Sequence, residues 1–350
     1  MKDDGAKARH IERDGMNDAL LTPQSTTMAK KEITLGIDIG GTNTTLGFVT
    51  RTGTLVAESQ MLTQSHEPAT AYVARLHAKI KEMMERIDET YELRGIGVGA
   101  PNANFYKGTV EYPPNLKWEG VTNLAEMIQR HYHVPVAITN DANAAAIGEM
   151  KFGAAKGMKH FIVITLGTGL GSGIVVDGKM VYGHDGFAGE LGHTIVNVSG
   201  RFCGCGRRGC LETYVSAGGI CRTVFELLAE RKEESELRSL SFNQLTSKMI
   251  SDAAEHGDKI ALEAFDVTGK MLGLKLADAV AHTSPEAIIL FGGLSAAGEL
   301  LLKPTQRYME EYMLNIFRGK VRLLPSGLRD GNAAVLGASA LIWNELDTQN

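Results

Sequence analysis

The spacing of apolar residues divides the chain into short β-branched runs and longer stretches of helical period. Ile33–Ile39 is an apolar run that predicts a buried strand, and it ends in Gly40-Gly41-Thr42-Asn43. Strands are predicted near Thr44–Thr50 and Thr54–Gln60, then a helix over Ala69–Ile87 and a strand over Arg94–Gly99. A helix over Val121–His131, a strand over Val136–Thr139 and a helix over Ala142–Met150 follow. The order then restarts. Phe161–Leu166 predicts a strand, Gly167–Gly173 a glycine-rich turn, and Ile174–Val176 and Lys179–Tyr182 two more strands. Helices are predicted near Ala217–Arg231, Phe242–His256, Lys259–His282, Glu299–Ile316 and Asn332–Trp343. Strands fall at Ala287–Phe291, which runs into Gly292-Gly293, and at Val321–Leu324.

Each half thus opens with three strands and a glycine-rich turn after the first. This predicts two similar α/β domains with a nucleotide cleft between them. Two unrelated doubly wound domains are the competing reading. A length of 350 residues suits two domains, and a hydrophobic fraction of 43% is ample for their cores. Net charge is −5 with no prominent basic block, which argues against a nucleic-acid partner. No apolar run reaches about 18 residues and no secretory signal opens the chain, so a cytoplasmic protein without membrane contact is expected. Residues 1–32 are polar and aperiodic and read as a disordered leader, with Met28 as an alternative natural start.

Three glycine-rich turns sit at strand ends. In the first, Asp38 precedes Gly40, Gly41, Thr42 and Asn43. The second holds Gly167, Thr168, Gly169 and Gly171, and the third Gly292 and Gly293. Glycine lets backbone N–H groups approach phosphate oxygens, and a strand-end carboxylate can hold magnesium. No Walker or dinucleotide fingerprint is present. One such turn is also an ordinary hairpin; three across both halves point to a nucleotide. Asn140-Asp141 reads as a helix cap, or as a polyol contact beside a general base.

The loop from His193 to Cys210 spends three of the four cysteines, Cys203, Cys205 and Cys210. One imidazole and three thiolates form a closed tetrahedral set, which suits structural zinc. A disulfide between two of the cysteines is the alternative. Glu190 and Glu212 bracket the loop; they read as sugar-hydroxyl acceptors or as surface charges. A metal-bound His193 keeps one N–H for a second partner, which can be a substrate hydroxyl.

With these segments in hand, the chain resembles the ROK family of sugar kinases and repressors. The resemblance rests on Gly36–Asn43, Gly99–Pro101, Pro114–Trp118, Asn140–Asn143, Leu166–Gly173, Gly189–His193, Cys203–Glu212 and Gly292-Gly293. It implies an actin-like, ribonuclease H-like ATPase fold of two α/β domains with ATP and sugar in the cleft between them. The expected division is 33–139 as a small domain completed by a helix at 332–350, and 140–331 as a large domain with the zinc loop 192–212. Asp141 is implied as catalytic base. Sugar contacts are implied from Asn140, Asp141, Glu190, His193 and Glu212, and zinc on His193, Cys203, Cys205 and Cys210. The implied activity is phosphorylation of a hexose, glucose first, with N-acetylglucosamine, N-acetylmannosamine or fructose as alternatives, in a homodimer or homotetramer. Repressors of the family carry an added DNA-binding module of roughly 60 or more residues, and the stretch before Ile33 is expected not to hold one. Two departures bear on the site. Asn43 stands where many relatives have Lys, and Asn102, near Asn104, where many have Gly.

Overall fold

The computed structural model describes residues 30–328 and 333–348. The leader expected over 1–32 lies outside the described residues up to position 29, and Lys31 and Glu32 already belong to the first strand. That strand, β1 (Lys31–Ile39), continues into β2 (Asn43–Thr50) and β3 (Leu55–Leu62). Helix α1 (Ala69–Met84) leads to β4 (Tyr91–Gly99). Three short strands follow, β5 (Ala103–Asn104), β6 (Thr109–Glu111) and β7 (Val121–Thr122), then α2 (Leu124–Gln129), β8 (Val136–Thr139) and α3 (Asp141–Phe152). The second half repeats the opening with β9 (Phe161–Leu166), β10 (Leu170–Val176) and β11 (Lys179–Met180). It continues with α4 (Ala217–Glu230), α5 (Ser247–Glu255), α6 (Lys259–Thr283), β12 (Ala287–Phe291), α7 (Glu299–Tyr312), β13 (Arg322–Pro325) and α8 (Ala333–Thr348).

The sheets are ordered β3-β2-β1-β4-β8 and β11-β10-β9-β12-β13, one topology used twice. Their central strands are parallel pairs, β1 with β4 and β9 with β12, buried on both faces, which is why they read as unbroken apolar runs. Helix α1 covers the first sheet with Tyr72, Val73, Leu76, Ile80 and Met83, a stripe at helical spacing.

Several predicted bounds shift, and three of the differences have a clear local cause. The helix over Val121–His131 is shorter, because β-branched Val121 and Thr122 pair with β6 before α2 begins at Leu124. The helix from Phe242 starts at Ser247, where Thr246 Oγ1 accepts from Met249 N–H. The glycine turn Gly167–Gly173 is mostly strand: β10 starts at Leu170 and only the residues before it make the turn. Gly171 and Gly173 are glycines because α3 lies on them; a Cβ there would come within 2.9 Å of Ala142 Cβ and 2.7 Å of Ala146 Cβ.

Helix α8 lies across the first sheet, backbone against backbone. A Cβ on Gly97 would stand 1.8 Å from Ala338 O, and one on Gly36 2.1 Å from Val335 O. Thr34 and Ser339 share a hydroxyl hydrogen bond of 2.7 Å at this face. Helices α3 and α8 touch in the same way, since a Cβ on Gly337 would lie 2.4 Å from Ala144 O. No helix among the described residues is long and apolar enough to cross a membrane.

Overpacking of this kind costs about 1–3 kcal/mol, and more where the neighbour is backbone. Gly97→Ala is therefore expected to lower the unfolding free energy obtained from denaturant titration by that amount, or to prevent folding. Gly218→Ala, where nothing lies within 4 Å of an added Cβ, should be neutral or stabilising. Equal midpoints for the two variants would contradict the α8 contact.

Candidate active site

The register of the parallel strands builds the site. Asp38 of β1 pairs with Gly99 of β4, and Gly99 with Thr139 of β8, so three strand ends stand in one row. In the second sheet Thr165 of β9 pairs with Phe291 of β12, and the turns at Gly167 and Gly292 follow. Both rows are carboxyl ends of strands, where open α/β sheets bind ligands. Between them lies a cavity of about 380 Å³.

Of the predicted site residues, Asp38, Gly40, Gly41, Asn140, Asp141, Gly167, Thr168, Gly169, Gly171, Glu190, Glu212 and Gly292 line this cavity. Thr42, Asn43, His193 and Gly293 do not border it. Thr42 and Asn43 are exposed at the start of β2, where Asn43 O accepts from Gly40 N–H to close the turn. Gly293 begins a short helical turn beyond Gly292. The cavity also takes in Asn102, already singled out as a departure near the site, and Ser172 of the second glycine-rich turn, together with Asn115 and Thr165, which were not predicted as site residues. For Asn115 and Ser172 a signal was present, since both stand inside the family segments.

Asp141 opens α3. Asn140, the cap, accepts from Asn143 N–H at 2.7 Å, so the capping role is real and leaves Asp141 one residue on. Asp141 is open to solvent on the cavity side, but protein crowds it elsewhere. That burial raises its carboxyl above the ordinary range, and the Ala142 N–H, donating at 2.9 Å, works against the rise. Half-buried Asp38 is pushed up to about 7, first by burial and then by the charge of Asp141. A cation between or beside them would reverse that shift. Glu190 also rises through burial, with His193 opposing and Asp141 and Glu212 adding to it.

The loop with Glu190 and His193 lies tight against β10. Ser172 Oγ donates to Gly189 O, and a Cβ on Gly192 would meet Leu170 O at 2.1 Å. His193 Nε2 lies 4.0 Å from Glu190 Oε2, and its Nδ1 faces Cys203 Sγ at 3.6 Å. Cys205 and Cys210 sulfurs are 3.6 Å apart. All four cysteines are free thiols. The four ligand atoms of His193, Cys203, Cys205 and Cys210 lie within 4.8 Å of one another. A tetrahedral zinc with bonds of about 2.0–2.3 Å has edges of roughly 3.5–3.8 Å, so the cluster fits zinc with no ligand position left open. Glu212 Oε1 stands 3.0 Å from Cys203 Sγ and 3.6 Å from His193 Nδ1. The metal loop thereby sets both carboxylates that face the cavity from the second half.

Arg201 anchors that loop, and its role was not visible in the sequence. Its buried guanidinium donates to Glu226 at 2.9 and 2.5 Å, to Thr213 O and Gly219 O, and to Thr223 Oγ1. It stacks on the Tyr214 ring at 4.3 Å.

Residues 34–345 match the model of the ROK family. The glucokinase of Halalkalibacterium halodurans is 37% identical over 80% of this chain and 86% of its own. A solved structure, a ROK family glucokinase from Streptomyces griseus in complex with glucose and AMPPNP, superposes with a TM-score of 0.76 at 33% identity, covering 88% of this chain and 98% of that one. The xylose repressor of Caldicellulosiruptor bescii is 29% identical over 89% of this chain and 78% of its own. With its twice-used sheet topology, its cleft at the strand ends and its histidine–cysteine loop, the chain belongs to the ROK family and has the actin-like, ribonuclease H-like sugar-kinase fold.

Proposed function

We propose that the chain transfers the γ-phosphoryl group of ATP to the 6-hydroxyl of a hexose, with glucose the preferred acceptor. The observation that carries this reading is Asp141, a carboxylate at a helix start whose affinity for a proton is raised and which faces the cavity together with Asn140, Glu190 and Glu212. The Streptomyces griseus glucokinase, bound to glucose and AMPPNP, supports the two ligand classes.

Asp141 takes the proton of the sugar hydroxyl as its oxygen attacks the γ-phosphorus and the bond to the leaving ADP oxygen breaks in line. Asn140, Glu190 and Glu212 hold the remaining hydroxyls, and His193 orients from behind them. Backbone N–H groups of the turns at Gly40, Gly167 and Gly292 receive phosphates. Magnesium bound with the nucleotide would offset phosphate charge, with Asp38 as the hard oxygen donor placed to hold it. Zinc on His193, Cys203, Cys205 and Cys210 is structural in this reading. Closure of 33–139 with 332–350 onto 140–331 excludes water, which otherwise competes as acceptor. We place the enzyme in the cytoplasm as a homodimer or homotetramer.

The sugar is read by hydroxyl contacts. Asn104 offers no amide to it: Nδ2 donates to Asp185 O at 2.7 Å and Oδ1 accepts from Tyr106 and Lys107 N–H. Asn102 Nδ2 gives one of its two N–H donors to Tyr112 O at 3.1 Å and keeps the other. Asn104, fully buried, is thus closed to an acetamido carbonyl, and the preference for glucose rests on the likeness to glucokinases.

Asp141→Asn is expected to lower kcat about 10²–10⁴-fold while glucose still binds by calorimetry. In the parent, kcat/KM should fall on the acid side through a pKa above the ordinary carboxylate range, because a raised acid loses its basic form at higher pH. Near-normal turnover of the variant would remove Asp141 from the chemistry.

Elemental analysis should find one zinc per chain. Cys205→Ala should lose the metal and weaken glucose binding by about tenfold or more, with ATP binding little changed. Full activity in protein free of zinc would contradict a structural metal.

In a coupled assay of ADP release over a hexose panel, glucose should give the highest kcat/KM, and 2-deoxyglucose a much lower one if the 2-hydroxyl is read. A tenfold preference for N-acetylglucosamine or N-acetylmannosamine moves the substrate and keeps the kinase. Sugar binding without turnover of any hexose favours the sensing role of the repressor relatives.

A further inference from the structure

Glu149 is fully buried in the last turn of α3, the helix that begins at Asp141, and no step above uses it. Its Oε2 accepts from Ala154 N–H at 2.6 Å and from Gly327 N–H at 3.2 Å, and its Oε1 accepts from the Ser326 hydroxyl. Ala154 lies in the connection from α3 to β9, and Ser326 and Gly327 follow β13 on the way to α8. These are the two places where the chain passes between the sheets. The two connections also touch, since a Cβ on Gly327 would lie 2.4 Å from Ala154 N. An apolar side chain of equal size would fill the space but leave both amides without a partner.

We infer that Glu149 is a positioning residue: it fastens both crossings to the end of α3, so that the halves turn about this point and α3 carries Asp141 as a rigid arm. The inference rests on the kinase reading above. Asp141 and Glu149 are eight residues apart on α3, which at about 1.5 Å each makes an arm of roughly 12 Å. Play of about 5° at Glu149 shifts Asp141 by roughly 1 Å, and misplacement of about 1 Å can cost on the order of 10²-fold in rate.

The test compares Glu149→Met, Glu149→Gln and Ser326→Ala in the full chain. It measures kcat, KM for glucose and ATP, zinc content, circular dichroism, and the contraction seen by small-angle scattering when glucose and AMPPNP are added. Glu149→Met should fold, lose about 10–100-fold in kcat at KM values within about twofold of the parent, and contract less. Ser326→Ala, which keeps two of the three bonds, should lose about threefold. Glu149→Gln should retain activity within about threefold, because its carbonyl still accepts from both amides while its NH₂ donates to Ser326 Oγ. A folded Glu149→Met with parental kcat and contraction overturns the inference. If that variant does not fold, parental kcat and contraction in Ser326→Ala overturn it instead. Should the parent phosphorylate no hexose, the kinase reading fails and contraction alone decides Glu149. A parent that does not contract with either ligand also overturns it.

Discussion

Among the described residues the two large sheets share no hydrogen-bonded strand pair, so the distance between them is set by the helices that cross from one to the other. Helices α3 and α8 meet at Gly148 and Gly337, where no side chain separates the backbones. Contact of this kind has a fixed spacing, because close-packed backbone cannot give as side chains do. The width of the cleft follows from it. So does the placing of Asp141, since α3 is at once a wall of that contact and the carrier of the carboxylate.

That placing accounts for the electrostatics. Asp38 and Asp141 come from different elements, but the aligned ends of β1, β4 and β8 bring them to one side of the cavity. Gly99 stands between them; a Cβ there would lie 3.7 Å from both Asp38 Oδ1 and Asp141 Cα. Burial raises both proton affinities, and at Asp38 the charge of Asp141 adds to the rise. On the opposite wall the carboxylates are set by a different means, a metal-sized cluster of sulfur and imidazole braced by Arg201 against Glu226 of α4.

Much of this was legible before the fold was in view, for reasons that differ by element. Parallel strands buried on both faces show as apolar runs, so β8, β9 and β12 were located to the residue. The three-stranded sheet of β5, β6 and β7 was not, because strands of two or three residues carry no period. The metal cluster was legible because its four ligands lie in one loop. Sequence adjacency does not fix orientation: Thr42, Asn43 and Gly293 neighbour cavity residues and do not border the cavity. Arg201 and Glu149 were silent, since a single charged residue does not declare that it is buried, nor which distant backbone it serves.

The position of α8 bears on how the chain is made. The face of the first sheet that holds Gly36 and Gly97 is covered by residues at the far end of the sequence, and Thr34 waits 305 positions for Ser339. A nascent chain therefore displays β1 and β4 with their glycine and threonine face bare through nearly the whole of translation, while the second half can settle on its own core. At roughly 5–20 residues per second that interval lasts from about 15 to 60 seconds. The half synthesised first is the half completed last, its glycine face closed only when α8 arrives.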